Sequence, residues 1–159
     1  MTLTCIGGFA VSQHYGLVRP TGDIDVVDVT PAAVRRWLAD FAAEGSPRHR
    51  KHKVYLQLVG VASLPYGYED RVGEIFAGSY ERLRLFVLDP CDLVLSKLSR
   101  NSDVDREDVK HLALSAGLDL VQLERRYRDE LRPYLVGPIT RHDATMLLWL
   151  EMLREAAGR

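Results

Sequence analysis

The stretch that decides the fold runs from Gly7 to Val27 and reads GGFAVSQHYGLVRPTGDIDVV. Two glycines open it, and the residues from Gly8 to Tyr15 predict a helix that ends at a glycine. The segment Asp23–Val29 alternates and is rich in β-branched residues, which predicts a strand. Two acids separated by one apolar residue, Asp23 and Asp25, stand at the start of that strand.

The two aspartates are the first candidate for chemistry. Residues i and i+2 of a strand point to the same side, so both carboxylates project together. Hard oxygen ligands on one face suit Mg²⁺ or Mn²⁺ better than zinc. The alternative is a pair of solvated acids at a strand end. The apolar residues Ile24, Val26 and Val27 favour the metal site, because an uncompensated charge beside a buried strand is costly.

Gly7 and Gly8 stand where the first strand leads into the helix. Glycines at such a junction let backbone N–H groups approach a phosphate, with the helix N-terminus behind them. The alternative is tight packing at a turn. The pair by itself therefore permits both a phosphate site and a purely structural role.

Composition excludes several classes of protein. The 159 residues predict one domain with, at most, two lobes on a shared core. The net charge of −1 gives no global attraction to nucleic acid or to an anionic membrane. Cys5 and Cys91 lie in apolar runs without metal-ligand spacing, which predicts buried, reduced thiols. With neither a signal peptide nor a long apolar run, we expect a cytoplasmic protein.

The middle of the chain alternates between helix and strand signals. Thr30 followed by Pro31 predicts a helix start, and the residues expected to face the core from that helix are Val34, Trp37, Leu38 and Phe41. The basic run Pro47–Lys53 is interpreted as a solvated loop, with binding of an RNA backbone as the alternative. Further strands are predicted at Val54–Val61, Gly73–Phe76 and Arg82–Leu88.

From Asp89 onward the sequence is helical. Helices are predicted over Asp89–Arg100, over Asp105–Ser115, from Asp119, and from Thr140, with a capping box to Asp143, to about Ala156. Strands first and helices afterwards predict an α+β fold: a small mixed sheet flanked by helices, followed by a C-terminal helical lobe. We expect an α/β core over residues 1–89 and a helical lobe over residues 90–159, packed as one compact unit.

The opening stretch resembles a known signature. A Gly-Gly pair followed by Arg19-x-Thr21-x-Asp23-x-Asp25 is similar to the motif of the nucleotidyltransferase superfamily with the polymerase-β-like fold. The form with arginine and threonine is most similar to abortive-infection (AbiEii-type) toxin nucleotidyltransferases and related uncharacterised bacterial proteins. The resemblance implies that Gly-Gly contacts a nucleoside triphosphate and that Asp-x-Asp binds magnesium.

The same resemblance implies a later lysine on a helix and an aspartate on or near the next one. Lys97 and Asp108 stand in that order, although the intervening arginine lies only two residues before Asp108. Lys97 either reaches the triphosphate as a point charge or is a surface lysine. Asp108 either positions Lys97, completes the acidic cluster, or is only an acid in a first helical turn.

A third carboxylate, which in this superfamily usually comes from a neighbouring strand and acts as general base, is harder to place. The predicted strand Val54–Val61 contains no acid. Glu69 and Asp70 are the tentative candidates, Asp108 is the substitute, and Arg71 is a candidate for phosphate binding.

The resemblance therefore implies a Mg²⁺-dependent transfer of a nucleotidyl group from an NTP to a hydroxyl of RNA, tRNA or protein. It also implies the toxin of a toxin–antitoxin pair with a cognate antitoxin, and no membrane partner. The expected catalytic residues are Asp23, Asp25, Lys97 and Asp108, and those expected to hold the nucleotide are Gly7, Gly8, Arg19, Thr21, Arg71 and Lys97. The alternatives are a catalytically reduced nucleotide- or protein-binding module, and an RNA-binding module that uses residues 48–53.

Overall fold

The structure, a computed structural model, describes residues 1–157. These residues form two compact units. The first comprises Met1–Ala62 and Val72–Leu88, and the second comprises Ser63–Arg71 and the chain from Asp89 onward. Each unit is described separately below.

The first unit is built on a mixed sheet that, within the described residues, has five strands. Its strands are β1 (Thr2–Ile6), β2 (Asp23–Thr30), β3 (Tyr55–Leu58), β4 (Gly73–Ile75) and β5 (Arg84–Val87), in the spatial order β3-β2-β1-β5-β4. β1 runs antiparallel to β2 and parallel to β5, β2 is parallel to β3, and β4 is antiparallel to β5. The prediction of an α+β protein with a small mixed sheet is therefore confirmed.

Helix α1 (Gly7–Tyr15) follows β1 without an intervening loop. It ends at Gly16, whose φ of 74° is the left-handed conformation that glycine adopts without strain. Its Val11 side chain is fully buried, as are Val26 and Val87 of the central strands, and Leu3 is nearly so. The helix predicted between the glycines and the aspartates is thus confirmed.

The segment after β2 differs from the prediction. Pro31 is extended, a short 3₁₀ turn follows at Ala32–Val34, and helix α2 spans only Arg35–Phe41. Leu38 is buried as expected, but Trp37 is 52% exposed and Phe41 37% exposed, so their placement in the core was wrong. The two aromatic residues are four positions apart, so they share one helical face, and their rings stack on each other.

The basic run is a helix and not the predicted loop. Helix α3 (Pro47–His52) begins at Ser46, whose hydroxyl accepts a hydrogen bond from the N–H of His49 at 3.1 Å. Serine at the N-cap with proline at the first helical position is a strong start signal, and here it outweighs repulsion among like charges. The helix ends at Lys53, which has a φ of 59°.

The second unit is helical. Its helices are α4 (Pro90–Ser96), α5 (Asp103–Ser115), α6 (Leu120–Arg126) and α7 (Ile139–Ala157), with a π-helical turn at Tyr127–Leu131 and a 3₁₀ turn at Arg132–Tyr134. None of the helices in the described part of the chain is long and apolar enough to cross a membrane.

Helix ends in this unit follow their caps. Asp89 caps α4 as predicted, but α4 ends at Ser96, before the expected Arg100. The start of α5 lies two residues earlier than expected, because Ser102 and Asp105 form a capping box.

The start of α7 corrects another prediction. The helix begins at Ile139, so Thr140 lies inside it and does not cap it. The Asp143 carboxylate, expected to complete that capping box, instead accepts hydrogen bonds from Arg132 and Tyr127. These two longer-range partners satisfy the carboxylate in place of a local backbone N–H.

Both cysteines are free and buried, as predicted. Burial is also the main reason that the pKa of each thiol is raised to about 12. Neither thiol is therefore ionised near neutral pH, which agrees with a structural role.

Candidate active site

The acid pair lies at the start of β2, where Asp23 and Asp25 are half-buried on one side of the strand. In the antiparallel pairing with β1, Asp25 stands opposite Ile6, the last residue before the glycines. Gly7 is therefore brought against the carboxylate. A Cβ atom added to Gly7 would clash with Asp25 Oδ2, and the φ of Gly7 is 71°. Glycine is required here both by its conformation and by the space that the carboxylate occupies.

Gly8 lies beside Arg19 and Thr21, the residues of the motif that precede the acid pair. A Cβ atom added to it would lie 3.5 Å from both Arg19 Nη2 and Thr21 Oγ1. The Thr21 hydroxyl donates to Asp23 Oδ1 at 2.6 Å and fixes that carboxylate. The first unit thus brings together six of the residues predicted from the sequence: Gly7, Gly8, Arg19, Thr21, Asp23 and Asp25.

Two further residues share the face of the acid pair, and the sequence interpretation missed both. In the parallel pairing of β2 with β3, Asp23 aligns with Tyr55 and Asp25 aligns with Gln57. Laterally aligned residues of neighbouring strands point to the same side of a sheet. The alternation of polar Tyr55 and Gln57 with the leucines of β3 was the signal that could have identified them.

The environment of the acid pair also acts on Tyr55. Desolvation raises the pKa of its phenol, and the negative charges of Glu44 and of the acid pair raise it further. The phenol therefore stays protonated near neutral pH and can donate a hydrogen bond.

Gln57 occupies the position beside Asp25 from which a neighbouring strand can supply a third carboxylate. Its amide oxygen can ligate a cation, but an amide is not a proton acceptor near neutral pH. Across residues 1–157, no group of three or more His, Cys, Asp or Glu side chains is arranged to hold a metal ion.

The residues present fit Mg²⁺ that arrives with a nucleotide. Magnesium is commonly bound by one or two carboxylates together with substrate phosphates and water, and less often by an all-protein cage. Asp23 and Asp25 supply two hard oxygen donors from one strand, and Gly7 leaves the space beside Asp25 Oδ2 free of a side chain. Any such cation would take its remaining ligands from phosphate, water or the amide oxygen of Gln57.

A cavity of about 380 Å³ adjoins the motif within the first unit. Arg19 and Thr21 belong both to its wall and to the group around the acid pair. The remaining wall combines apolar and polar side chains: Phe9, Ser12, Gln13, Pro20, Ile24 and Val54. Its size lies within the usual range for small-molecule sites, so it has room for part of a nucleotide.

Lys97 and Asp108, predicted to act on the nucleotide, form a buried ion pair in the second unit. The Lys97 side chain is 3% exposed, and its Nζ donates to Asp108 Oδ2 at 2.8 Å. Asp105 Oδ1 lies 3.7 Å from the same nitrogen. Two buried carboxylates thus compensate the ammonium charge, and the role of Lys97 at a triphosphate stays a prediction.

Asp105 is held in its charged form. Burial alone would raise the pKa of this carboxyl, but hydrogen bonds from Arg100 and Ser102 outweigh burial and lower the pKa to about 2. The Arg100 guanidinium binds it through two nitrogens, at 2.8 and 2.5 Å. This geometry fixes the turn between α4 and α5.

The three residues predicted from the turn before β4 also lie in the second unit. Arg71 donates to Asp92 through two nitrogens, at 2.7 and 3.1 Å, and its Nη2 lies 3.0 Å from Glu130. Glu69 and Asp70 are exposed in the same 3₁₀ turn. The predicted role of Glu69 or Asp70 as the general base, and that of Arg71 in phosphate binding, stay predictions.

Comparison with known proteins gives one match. A family model described as "Nucleotidyltransferase of unknown function (DUF6036)" matches residues 1–155. No curated protein matches the chain, and no solved structure does. The matched residues include the acid pair, the two glycines and the Lys97–Asp108 pair.

Proposed function

Since the chain belongs to this family of nucleotidyltransferases, we propose that it transfers a nucleotidyl group from an NTP to a hydroxyl acceptor, with Mg²⁺ held by Asp23 and Asp25. The observation that carries the proposal is the contact of Gly7 with Asp25, because it joins the two halves of the motif at one point. A phosphate bound at the glycines would lie beside the carboxylates that hold its cation.

Each residue of the site has a separate role in the proposed reaction. The Thr21 hydroxyl orients Asp23, and the backbone of Gly8 and the guanidinium of Arg19 offer N–H donors to phosphate oxygens. Magnesium, when bound, supplies charge neutralisation at the phosphates. Catalysis by such a site is mostly positioning and electrostatic stabilisation.

In the proposed reaction, the acceptor oxygen forms a bond to the α-phosphorus, the bond from that phosphorus to the bridging oxygen breaks, and pyrophosphate leaves. The acceptor hydroxyl loses its proton in this step. Gln57 cannot take the proton. The proton passes to water.

The acceptor and the biological role rest on the resemblance to AbiEii-type toxins. It supports RNA, tRNA or protein as the acceptor and a cognate antitoxin as partner. The placement of Arg19 and Thr21 beside Gly8 supports this form of the motif, because both residues belong to it.

The test is titration calorimetry of each NTP with Mg²⁺ into the wild type and into Asp23→Asn/Asp25→Asn. We expect the Mg²⁺-dependent part of binding to disappear in the variant. Asp28→Asn is the matched control, because Asp28 is an exposed acid of the same strand. Equal binding by the wild type and the double variant would overturn the metal assignment, as would an equal loss in the control.

Transfer is measured with α-labelled NTPs and total RNA or protein from cells. We expect the double variant to lose roughly 10²–10³-fold in rate or more, the range for removing a group that stabilises developing charge. Binding that depends on the acid pair without any transfer of label would instead support the catalytically reduced binding module. The amide of Gln57 beside Asp25 is the observation that favours this second candidate.

A further inference from the structure

Helices α2 and α3 carry an exposed surface that the proposed chemistry does not use. We call it the α2–α3 surface, and its members are Trp37, Phe41, Arg48, Arg50, Lys51 and Lys53. All of them belong to the first unit.

The surface contains a stack of aromatic and cationic groups. The rings of Trp37 and Phe41 lie 4.6 Å apart at an interplanar angle of 27°. The guanidinium carbon of Arg48 lies 4.0 Å from the centre of the Phe41 ring. Because Trp37 is 52% exposed, about half of this large aromatic side chain is open to solvent beside Phe41. Guanidinium over an aromatic ring is a favourable cation–π arrangement.

Positive charge is concentrated in α3 and in the residue that follows it. Arg48, Arg50, Lys51 and Lys53 are exposed within six consecutive residues, although the protein as a whole carries a net charge of −1. The acids nearby in sequence are Asp40 and Glu44, which leaves an excess of positive charge. Such a local excess attracts a polyanion.

The C-terminal end of α3 lies close to the start of the strand that carries the acid pair. The carbonyl oxygen of Lys53, where α3 ends, lies 3.7 Å from the position of a Cβ atom added to Gly22. Tyr55, two residues later, donates its N–H to the carbonyl of Gly22 at 3.1 Å and aligns with Asp23. A ligand bound along α3 would therefore lie next to the start of β2.

We propose that the α2–α3 surface binds single-stranded nucleic acid and delivers its terminal hydroxyl to the acid pair. Basic grooves combined with stacking aromatics are the usual means of holding single strands without sequence preference. An acidic polypeptide would use the charges but would leave the π-face of Trp37 without a stacking partner. The delivery step rests on the proposed function, whereas the binding step does not.

Binding is tested by fluorescence anisotropy of labelled single strands of RNA and DNA, each about 12 nucleotides long. The strand that binds more tightly identifies whether RNA or DNA is the preferred ligand. Four cations predict a slope of log K against log salt of about −2.8, from about 0.7 per neutralised phosphate. We expect Arg50→Glu/Lys51→Glu to lower the affinity at least roughly tenfold and to reduce the slope by about 1.4. We expect Trp37→Ala to lower the affinity roughly tenfold, because it removes one stacking partner.

A matched control separates the surface from net charge. Lys110→Glu/Arg125→Glu makes the same change of charge at exposed positions of the second unit. Wild-type affinity in all variants, or an equal loss in this control, would overturn the proposal. So would displacement of the strand by poly-glutamate at an equal concentration of charge. Circular dichroism and thermal unfolding verify that Trp37→Ala is folded.

Two outcomes distinguish this inference from the proposed function. If the protein binds single-stranded nucleic acid but transfers no label from any NTP, the proposed function is wrong and the assignment of the binding surface is unaffected. Transfer at the wild-type rate by Arg50→Glu/Lys51→Glu would overturn the delivery of the acceptor and leave the proposed function standing.

Discussion

The carboxylates of the two units are held in different ways. In the second unit, Asp92 accepts hydrogen bonds from two arginines, Arg71 and Arg126, and its side chain is fully buried. Asp105 accepts from Arg100, and Asp108 accepts from Lys97. In the first unit, Asp23 and Asp25 are half-buried, and Asp23 accepts from the neutral hydroxyl of Thr21.

The difference distinguishes the carboxylates that cations compensate within the fold from the acid pair that we propose to bind a divalent cation. A buried carboxylate matched by a cation is already compensated, and removing one partner leaves a buried charge that destabilises the fold. Two carboxylates placed side by side on one strand repel each other, and a divalent cation relieves that repulsion. The same residue type therefore stabilises the helical unit through ion pairs and, in the proposed function, binds a cation in the sheet unit.

The largest expected effect comes from removing a cation in the second unit. Lys97→Met keeps the length of the side chain but leaves Asp108 buried without its ammonium partner. We expect the free energy of unfolding to fall by about 3–5 kcal/mol, measured by urea denaturation. Thr21→Val, which removes a neutral donor from Asp23, is the comparison, with an expected loss of about 1 kcal/mol.

The outcome also decides the role of Lys97. A loss of stability below about 1 kcal/mol, together with a large rise in KM for NTP, would contradict the structural assignment and place the lysine at the nucleotide. A large loss of stability with unchanged NTP affinity in the folded fraction would confirm the structural one.

Sequence reasoning predicted the first unit best where the signals were local. The glycine pair, the helix to Tyr15 and the strand with the acid pair follow from turn chemistry and alternation, and the structure brings their side chains together. It was wrong about α3 because the charge of the segment was weighed above the Ser46–Pro47 start signal. It was wrong about Trp37 and Phe41 because helical spacing identifies a shared face but not what covers that face.

The next expected effect tests the second unit by pH. The pKa of Asp105 is about 2 in the folded protein and near 3.9 in an unfolded chain. Its contribution to stability, about 2.6 kcal/mol, is therefore present above pH 4 and is lost as the pH falls from about 4 to about 2. The unfolding free energy of the wild type minus that of Asp105→Asn should decrease over that window, in urea titrations at each pH. A difference that does not change with pH would contradict the assignment.

The pairing of the strands could not be predicted from the sequence alone. Nothing in the local sequence says that β3 lies parallel to β2 with Gln57 beside Asp25, because register depends on contacts between distant segments. The sequence shows that the segment Val54–Val61 contains no acid. It does not show that Gln57 is the residue of this segment that aligns with Asp25. Likewise, Lys97 and Asp108 were paired by their order along the chain, and only the fold shows that they form a buried ion pair.

The smallest expected effect tests the first unit directly, by adding a carboxylate where the sheet has an amide. Gln57→Glu places a third acid on the face of the acid pair, because residue 57 aligns with Asp25 in the parallel register. A third hard oxygen ligand should tighten Mn²⁺ binding about tenfold, or about 1.4 kcal/mol, measured by the loss of the free-ion signal in electron paramagnetic resonance. Gln57→Ala, which removes the amide without adding charge, should bind Mn²⁺ no more tightly than the wild type. Unchanged or weaker Mn²⁺ binding by Gln57→Glu would mean that residue 57 and the acid pair do not form one cation site. The proposed difference in role between the carboxylates of the two units would then lose its support.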